Sequence, residues 1–202
     1  MNYTELVAAI KGYMNNYSTE LASNIDTIIK QAEARVVRAT DLREYRRNVT
    51  TTTTVGDPYL TLPSNVLQVR DLRIRTGDFI DNRPKSFIEE YNKTATTQGV
   101  PKYYGHWDAN TIVLAPAPNG AITVELSYKT KPTSIVTAST TWLGDNAEEV
   151  LLAACLVEAG IFLQVGMDVL APYMERLKEG VTLLQKQESS NASDENSTRT
   201  TV

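Results

Sequence analysis

The chain of 202 residues carries one cysteine, one histidine and two tryptophans. A lone thiol, Cys155, closes no internal disulfide, and with His106 as the single imidazole no zinc site of His and Cys ligands can be assembled within one chain. There is no phosphate-cradling Walker loop, no dinucleotide glycine pattern and no Gly-x-Ser-x-Gly elbow, and the ten glycines are scattered punctuation. No cofactor is therefore expected. Long apolar runs are missing as well: none approaches the roughly 18 to 20 residues that span a bilayer. Nor does a charged leader with an apolar core and a small-residue cleavage site open the sequence. The reading is a soluble protein with no membrane partner, made and kept in the cytosol. Positive charge is not in excess either: 20 Lys and Arg stand against 24 Asp and Glu, a net charge of −4. That balance lacks the electrostatic footprint of a protein that clamps nucleic acid, although an acidic wall is compatible with DNA that slides past without being held. Internal repeats of solenoid period and coiled-coil heptads are also absent.

What is present is ordinary globular material, 42% hydrophobic and 22% charged, enough for a packed core. Leu6, Ala9, Ile10 and Tyr13 recur at helical spacing up to the polar stretch Asn15 to Ser18. Ile25, Ile28, Ile29, Ala32 and Val36 then make an amphipathic stripe, with Ser23 and Asp26 read as its capping box. From Asn48 the grammar is β-branched. Thr50 to Val55, a Gly56-Asp57-Pro58 turn and Tyr59 to Leu62 predict a hairpin. Val66 to Ile74, Thr111 to Leu114 and the alternating Ile122, Val124, Leu126 and Tyr128 predict further strands, interrupted by a short helix over Ser86 to Tyr91. After Trp142-Leu143, Asp145 reads as an N-cap with Glu148 at N3, ahead of a stripe of Val150, Leu151, Ala154, Val157 and Ile161. Gly166 and Asp168 end and restart the helix. Leu170, Tyr173, Leu177, Val181 and Leu184 line a second helix, packed antiparallel on its predecessor.

The expected fold class is α+β: an α-helical bundle from N- and C-terminal helices, an inserted antiparallel β region and a disordered C-terminal tail. The expected boundaries are a single domain over 1–186, with helices in 1–47 and 145–186 and the β-rich insertion in 48–143. The tail, 187–202, offers almost nothing to bury, so ordering it in isolation has no return.

Chemistry-bearing residues are few. His106 next to Asp108 could serve as a general base, but a surface or turn histidine is the favoured reading. Cys155 sits on an apolar helical face, where an inert core thiol is favoured over a nucleophile. Glu89-Glu90 and Glu148-Glu149 are helical neighbours pointing about 100° apart, so neither pair shares one substrate. Catalysis is not expected. Arg35, Arg38, Arg43, Arg46 and Arg47 form the one concentrated basic stretch. It is read either as a contact surface for acidic helices or as a solvated helix C-terminus, where arginine suits the dipole.

Four pieces, in order, carry a family likeness. They are Pro101-Lys-Tyr-Tyr-Gly-His-Trp107, Ile112-Val-Leu-Ala-Pro-Ala-Pro118, Val124-Glu-Leu-Ser-Tyr128-Lys-Thr-Lys-Pro132 and Thr141-Trp-Leu143. A strand ending in Pro-x-Pro, a strand ending in Tyr with proline close behind, and a Trp-Leu turn opening a two-helix C-terminal region resemble the head-to-tail adaptor (connector) proteins of tailed bacteriophages. The resemblance extends to the N-terminal helix pair and the polar tail. It implies a structural virion protein at the neck, assembled in the host cytoplasm: a ring of its own copies, usually a dodecamer, seated between the portal protein and a tail nozzle or other tail-side protein. Genomic DNA would pass through its channel without specific binding. It also implies a free monomer that assembles on the portal, and a C-terminal segment that docks there, here Gln187, Ser189, Asn191, Asp194, Glu195, Arg199 and Val202. A cyclic assembly needs two different complementary patches per protomer. Arg43, Arg46 and Arg47 are the basic candidates, and Glu148, Glu149 and Glu158 the acidic ones. Three other readings are weighed: another neck, stopper, tail-completion or nozzle-side component; a virion-associated cell-wall hydrolase, for which no suitably spaced carboxylate pair stands out; and a host-derived binding module, for which nothing marks a ligand pocket.

Overall fold

The computed structural model describes residues 1–94 and 98–199. In chain order the elements are α1 (Tyr3–Tyr13), α2 (Thr19–Ala39), a 3₁₀ turn (Arg43–Tyr45), β1 (Arg46–Thr52), β2 (Tyr59–Thr61), β3 (Val66–Ile74), β4 (Phe79–Asn82), α3 (Lys85–Thr94), β5 (Tyr103–His106), β6 (Thr111–Ala115), β7 (Thr123–Thr130), α4 (Ile135–Ala138), α5 (Trp142–Asn146), α6 (Glu148–Phe162) and α7 (Met167–Arg199). The chain divides into two compact units, one of Met1–Glu44 with Pro132–Val202 and one of Tyr45–Lys131. This is the α+β arrangement expected, with N- and C-terminal helices on either side of an inserted, mainly antiparallel sheet in sequence.

The helical unit is organised by α6. Nine of its fifteen residues are buried, including Val150, Leu151, Ala154, Leu156 and Val157, because the segment is apolar on nearly every side, the signature of a central helix and not of an amphipathic one. It packs against α1, α2, α5 and α7. The α2 stripe meets it as the spacing predicts, with Ile25, Ile28, Ile29, Ala32 and Val36 all buried. Ile161 is the exception to the α6 stripe, 52% exposed one residue before the helix ends. Helices α6 and α7 are antiparallel: the close contacts are Gly160 with Leu170 and Gly180 with Val150, so residue numbers rise along one helix as they fall along the other. On α7 the buried positions Leu170, Leu177 and Leu184 repeat every seven residues, a narrow seam of the coiled-coil kind.

The caps differ from the sequence reading. Ser18 caps α2 through the Leu21 N–H, and Ser23, one turn inside, donates its hydroxyl to the Glu20 carbonyl. The capping box belongs to α1, between Asn2 and Glu5. Asp145 lies inside α5, whose cap is Thr141, and α6 begins after Ala147 with no side-chain cap. A short helix stands where a Trp-Leu turn and the N-cap Asp145 were expected, and its C-cap Ala147 doubles as the N-cap of the next. Toward its C-terminus α7 runs on to Arg199, through a stretch whose composition predicted no structure in isolation. Extending an existing helix avoids the nucleation penalty that a free segment would face. The Gln185 amide also donates to the Ala39 carbonyl (2.6 Å) and the Arg43 N–H donates to Glu188 (3.1 Å), tying this part of α7 to the end of α2.

The β unit is a seven-stranded sheet in the order β1-β7-β3-β4-β5-β6-β2. Every neighbouring pair is antiparallel except β4 with β5, which is parallel. The expected hairpin does not form: β1 pairs with β7 and β2 with β6, at opposite edges. The intervening turn is real, with Gly56 at φ +76°, but it sends the chain to the far edge instead of back along β1. The sheet curls so that Leu60, Leu72, Ile80, Tyr104, Leu114, Val124, Leu126 and Tyr128 share one core. On the outer face α3 covers Val113 and Ala115 with Ile88, leaving Tyr91 and Tyr103 partly buried beside them. Strand β6 is thus buried on both faces, whereas β7 shows the strict alternation its sequence predicts over Val124, Leu126 and Tyr128.

Candidate assembly surfaces

The basic stretch divides between the units. Arg35 and Arg38 lie on α2 and Arg43 opens the 3₁₀ turn, while Arg46 and Arg47 begin β1. Arg43, Arg46 and Arg47 each hold interactions within the chain, among them the Arg47 guanidinium donating to the Arg46 carbonyl (2.9 Å). The acidic candidates are not equivalent. Glu158 is taken by Arg35 of the same chain at 2.7 Å, with its side chain only 12% exposed. Glu148 is 63% exposed and lies 3.5 Å from the Met1 ammonium, which donates to the Gly144 carbonyl. Glu149, beside it in the first turn of α6, is exposed and in no ion pair among the described residues. The Arg35–Glu158 pairing was hidden in sequence because the partners sit 123 positions apart on different helices.

Of the tail candidates, Gln187 and Ser189 are exposed on α7, and Ser189 donates to the Lys186 carbonyl. Asn191, Asp194, Glu195 and Arg199 fall on the last turns of the same helix. Val202 lies outside the described residues.

His106 ends β5 and is exposed. Asp108 accepts from the Asn110 N–H (2.8 Å), closing a turn after β5, so its carboxylate serves the backbone. Cys155 is fully buried in α6, and its thiol is pushed well above the ordinary range by burial first and by the nearby carboxylates of Glu33 and Glu158 second. The thiol therefore stays protonated, as a core group does. Glu33, only 7% exposed, accepts from the Ile135 N–H at 2.8 Å, holding the start of α4. Glu89 pairs with Lys85 one turn away on α3. Among the described residues no group of three or more His, Cys, Asp or Glu is placed to hold a metal ion, and no helix is long and apolar enough to cross a membrane.

One surface escaped the sequence reading. In the β unit the Lys85 ammonium sits 3.6 Å over the Trp107 ring, Trp107 meets Tyr59 edge-on, and the Arg83 guanidinium lies over both Phe87 and Tyr103. Tyr59, Phe87 and Trp107 are 37–46% exposed. Aromatic rings with stacked cations are the residue types that anchor protein interfaces. The signal was the aromatic content of α3 and β5, but strand neighbours from β2 complete it, and that pairing is not local.

A model of the SU10 adaptor protein family matches residues 1–201. The chain belongs to that family. It is a family of phage head-to-tail adaptors, so this SU10 adaptor family member is a phage structural component by membership. No curated protein matches the chain. Membership bears on all of the chain that the likeness in the strand and Trp-Leu segments touched. In the structure, those segments are β5, β6, β7 and the start of α5.

Proposed function

We propose that the protein is a ring-forming subunit at the virion neck, seated between the portal and a tail-side protein, with a channel through which DNA passes without specific binding. The observation that carries this reading is the family match along residues 1–201. The net charge of −4 agrees with a channel that does not arrest phosphate. The ring number follows the family expectation of twelve. Between protomers, Arg43, Arg46 and Arg47 face Glu148 and Glu149, with Glu158 a weaker member because Arg35 already occupies it. The segment from Gln187 to Val202, which begins on α7, is the portal-docking segment.

The test is negative-stain imaging and sedimentation of the folded protein, alone and mixed with a portal ring from the same phage. Rings seated on the portal are the expected result. A folded protein that leaves the portal bare, yet binds an isolated tail, would move the assignment to another neck or tail-completion component and overturn the docking role of α7.

A further inference from the structure

The two edges of the sheet are not alike. At one edge β2 has only three residues, lies between Pro58 and Pro63, and its outward-facing Tyr59 N–H is already taken by the Asp57 carboxylate at 2.9 Å. These are the devices by which proteins close a sheet edge. At the other edge β1 has seven residues, no proline or glycine, and an unbroken register with β7 from Arg46 to Thr52. By contrast, the β3–β7 pairing is interrupted twice.

The hydrogen-bond parity of β1 shows which groups its open edge presents. The Thr53 N–H donates to the Ile122 carbonyl, toward β7. Backbone polar groups alternate sides in an antiparallel pair. Thr51 and Val49 therefore also point inward, and the N–H and C=O groups of Asn48, Thr50 and Thr52 point away from the sheet. All three residues are exposed, and none makes a backbone hydrogen bond at that edge among the described residues.

We propose that β1 pairs antiparallel with β1 of a second copy, about a two-fold axis at Thr50. Three features of β1 suit antiparallel pairing with a second copy. In this register Asn48 faces Thr52 of the second copy and Thr50 faces its counterpart, giving about six ladder hydrogen bonds from groups otherwise left to water. The half-buried Val49 and Thr51 fall opposite each other, so the core face of the sheet continues from one copy into the next. The strand carries two arginines and no acid. Antiparallel pairing sends Arg46 and Arg47 of the two copies to opposite ends, where a parallel arrangement would set like charges side by side. The inference does not rest on the adaptor reading. An isologous contact closes at two copies, unlike the head-to-tail contacts of a ring, so the pairing describes the free chain. The free monomer expected from the family resemblance would then hold only at low concentration.

An edge contact alone buries well under about 1,000 Å² and belongs with weak encounters, so the concentrations to search run from about 1 μM to about 1 mM. The experiment is sedimentation velocity of the full chain across that range for wild type, Thr50→Lys, Thr50→Glu and an equimolar mixture of the two variants. Circular dichroism confirms that each is folded, and Thr61→Lys at the closed edge serves as control. Wild type and the Thr61→Lys control are expected to dimerise, each Thr50 variant to lose at least tenfold in dimer affinity, and the mixture to recover it as a mixed dimer. A wild type that stays monomeric overturns the proposal. So does a dimer that survives both single variants, or a mixture that stays monomeric.

Discussion

Gly180 of α7 should respond to alanine in the opposite direction to Gly12 of α1. Both sit in helices, where alanine is intrinsically preferred by about 1 kcal/mol. A Cβ at Gly12 meets nothing within 4 Å, so Gly12→Ala should stabilise by about 0.4–1 kcal/mol. A Cβ at Gly180 would lie 2.6 Å from Val150 Cγ2 and 3.6 Å from its Cβ. Carbon atoms rest at about 3.5–4.0 Å, so the overlap is about 1 Å. Val150 is 2% exposed, and a β-branched side chain in a helix has one dominant rotamer, so it cannot swing aside. Overpacking of this kind costs about 1–3 kcal/mol, against the helical gain of about 1 kcal/mol. The net for Gly180→Ala is a loss of up to about 2 kcal/mol. At about 2–4 °C per kcal/mol for a chain of this size, the two variants should separate by several degrees in thermal midpoint, on opposite sides of wild type. Circular dichroism melts and urea titrations measure this. The double variant Val150→Ala/Gly180→Ala isolates the contact, because in the Val150→Ala background Gly180→Ala should become stabilising. If Gly180→Ala stabilises the wild type as much as Gly12→Ala does, the close approach of α6 and α7 at this point is wrong.

Cys155 should resist a disulfide reagent in the native protein and react in full once urea unfolds the chain; rapid native labelling would contradict its burial in α6. Glu33→Ala should destabilise by about 1–3 kcal/mol, because the buried Ile135 N–H loses its acceptor, while Glu33→Gln should retain most of the stability. Equal losses in the two variants, read from urea midpoints, would show that the hydrogen bond is not what holds α4. Reversing Arg43, Arg46 and Arg47 to glutamate should reduce ring formation on the portal in electron micrographs, with further reversal of Glu148 and Glu149 to lysine restoring part of it; normal rings from the triple variant would remove these residues from the interface.

Local signals carried much of the fold. The stripes of α2 and α7 and the alternation of β7 are periodicities within one segment, and each buries the face that the spacing marks. Element type was legible for the same reason: the return of helical spacing after Trp142-Leu143 needs no knowledge of the rest of the chain. Cap assignments fared less well. Several polar residues near a helix start can each serve as an N-cap, and Ser18 does so because the helix begins one turn earlier than the Ser23 reading placed it. The short strands β4 and β5, four residues each, have too few positions to show a period and went unseen.

The candidate surfaces follow the same division. The arginine stretch, the acidic first turn of α6 and the polar composition after Ser189 are properties of consecutive residues, so sequence alone determined them, as it determined the absence of a second thiol or imidazole. Which glutamate is already engaged, which edge of the sheet is open and which aromatics gather around Trp107 depend on partners far away in the chain, such as Arg35 with Glu158 or Tyr59 with Trp107. Turn residues at Gly56 mark where β1 ends but not which strand it pairs with. That choice is made by the pairing energy of whole strands and by the burial of one face of the curled sheet, which placed β1 on β7 and β2 on β6. Tertiary structure decided these matters because cross-strand and interhelical contacts are energies between segments, and no single segment contains both sides of them.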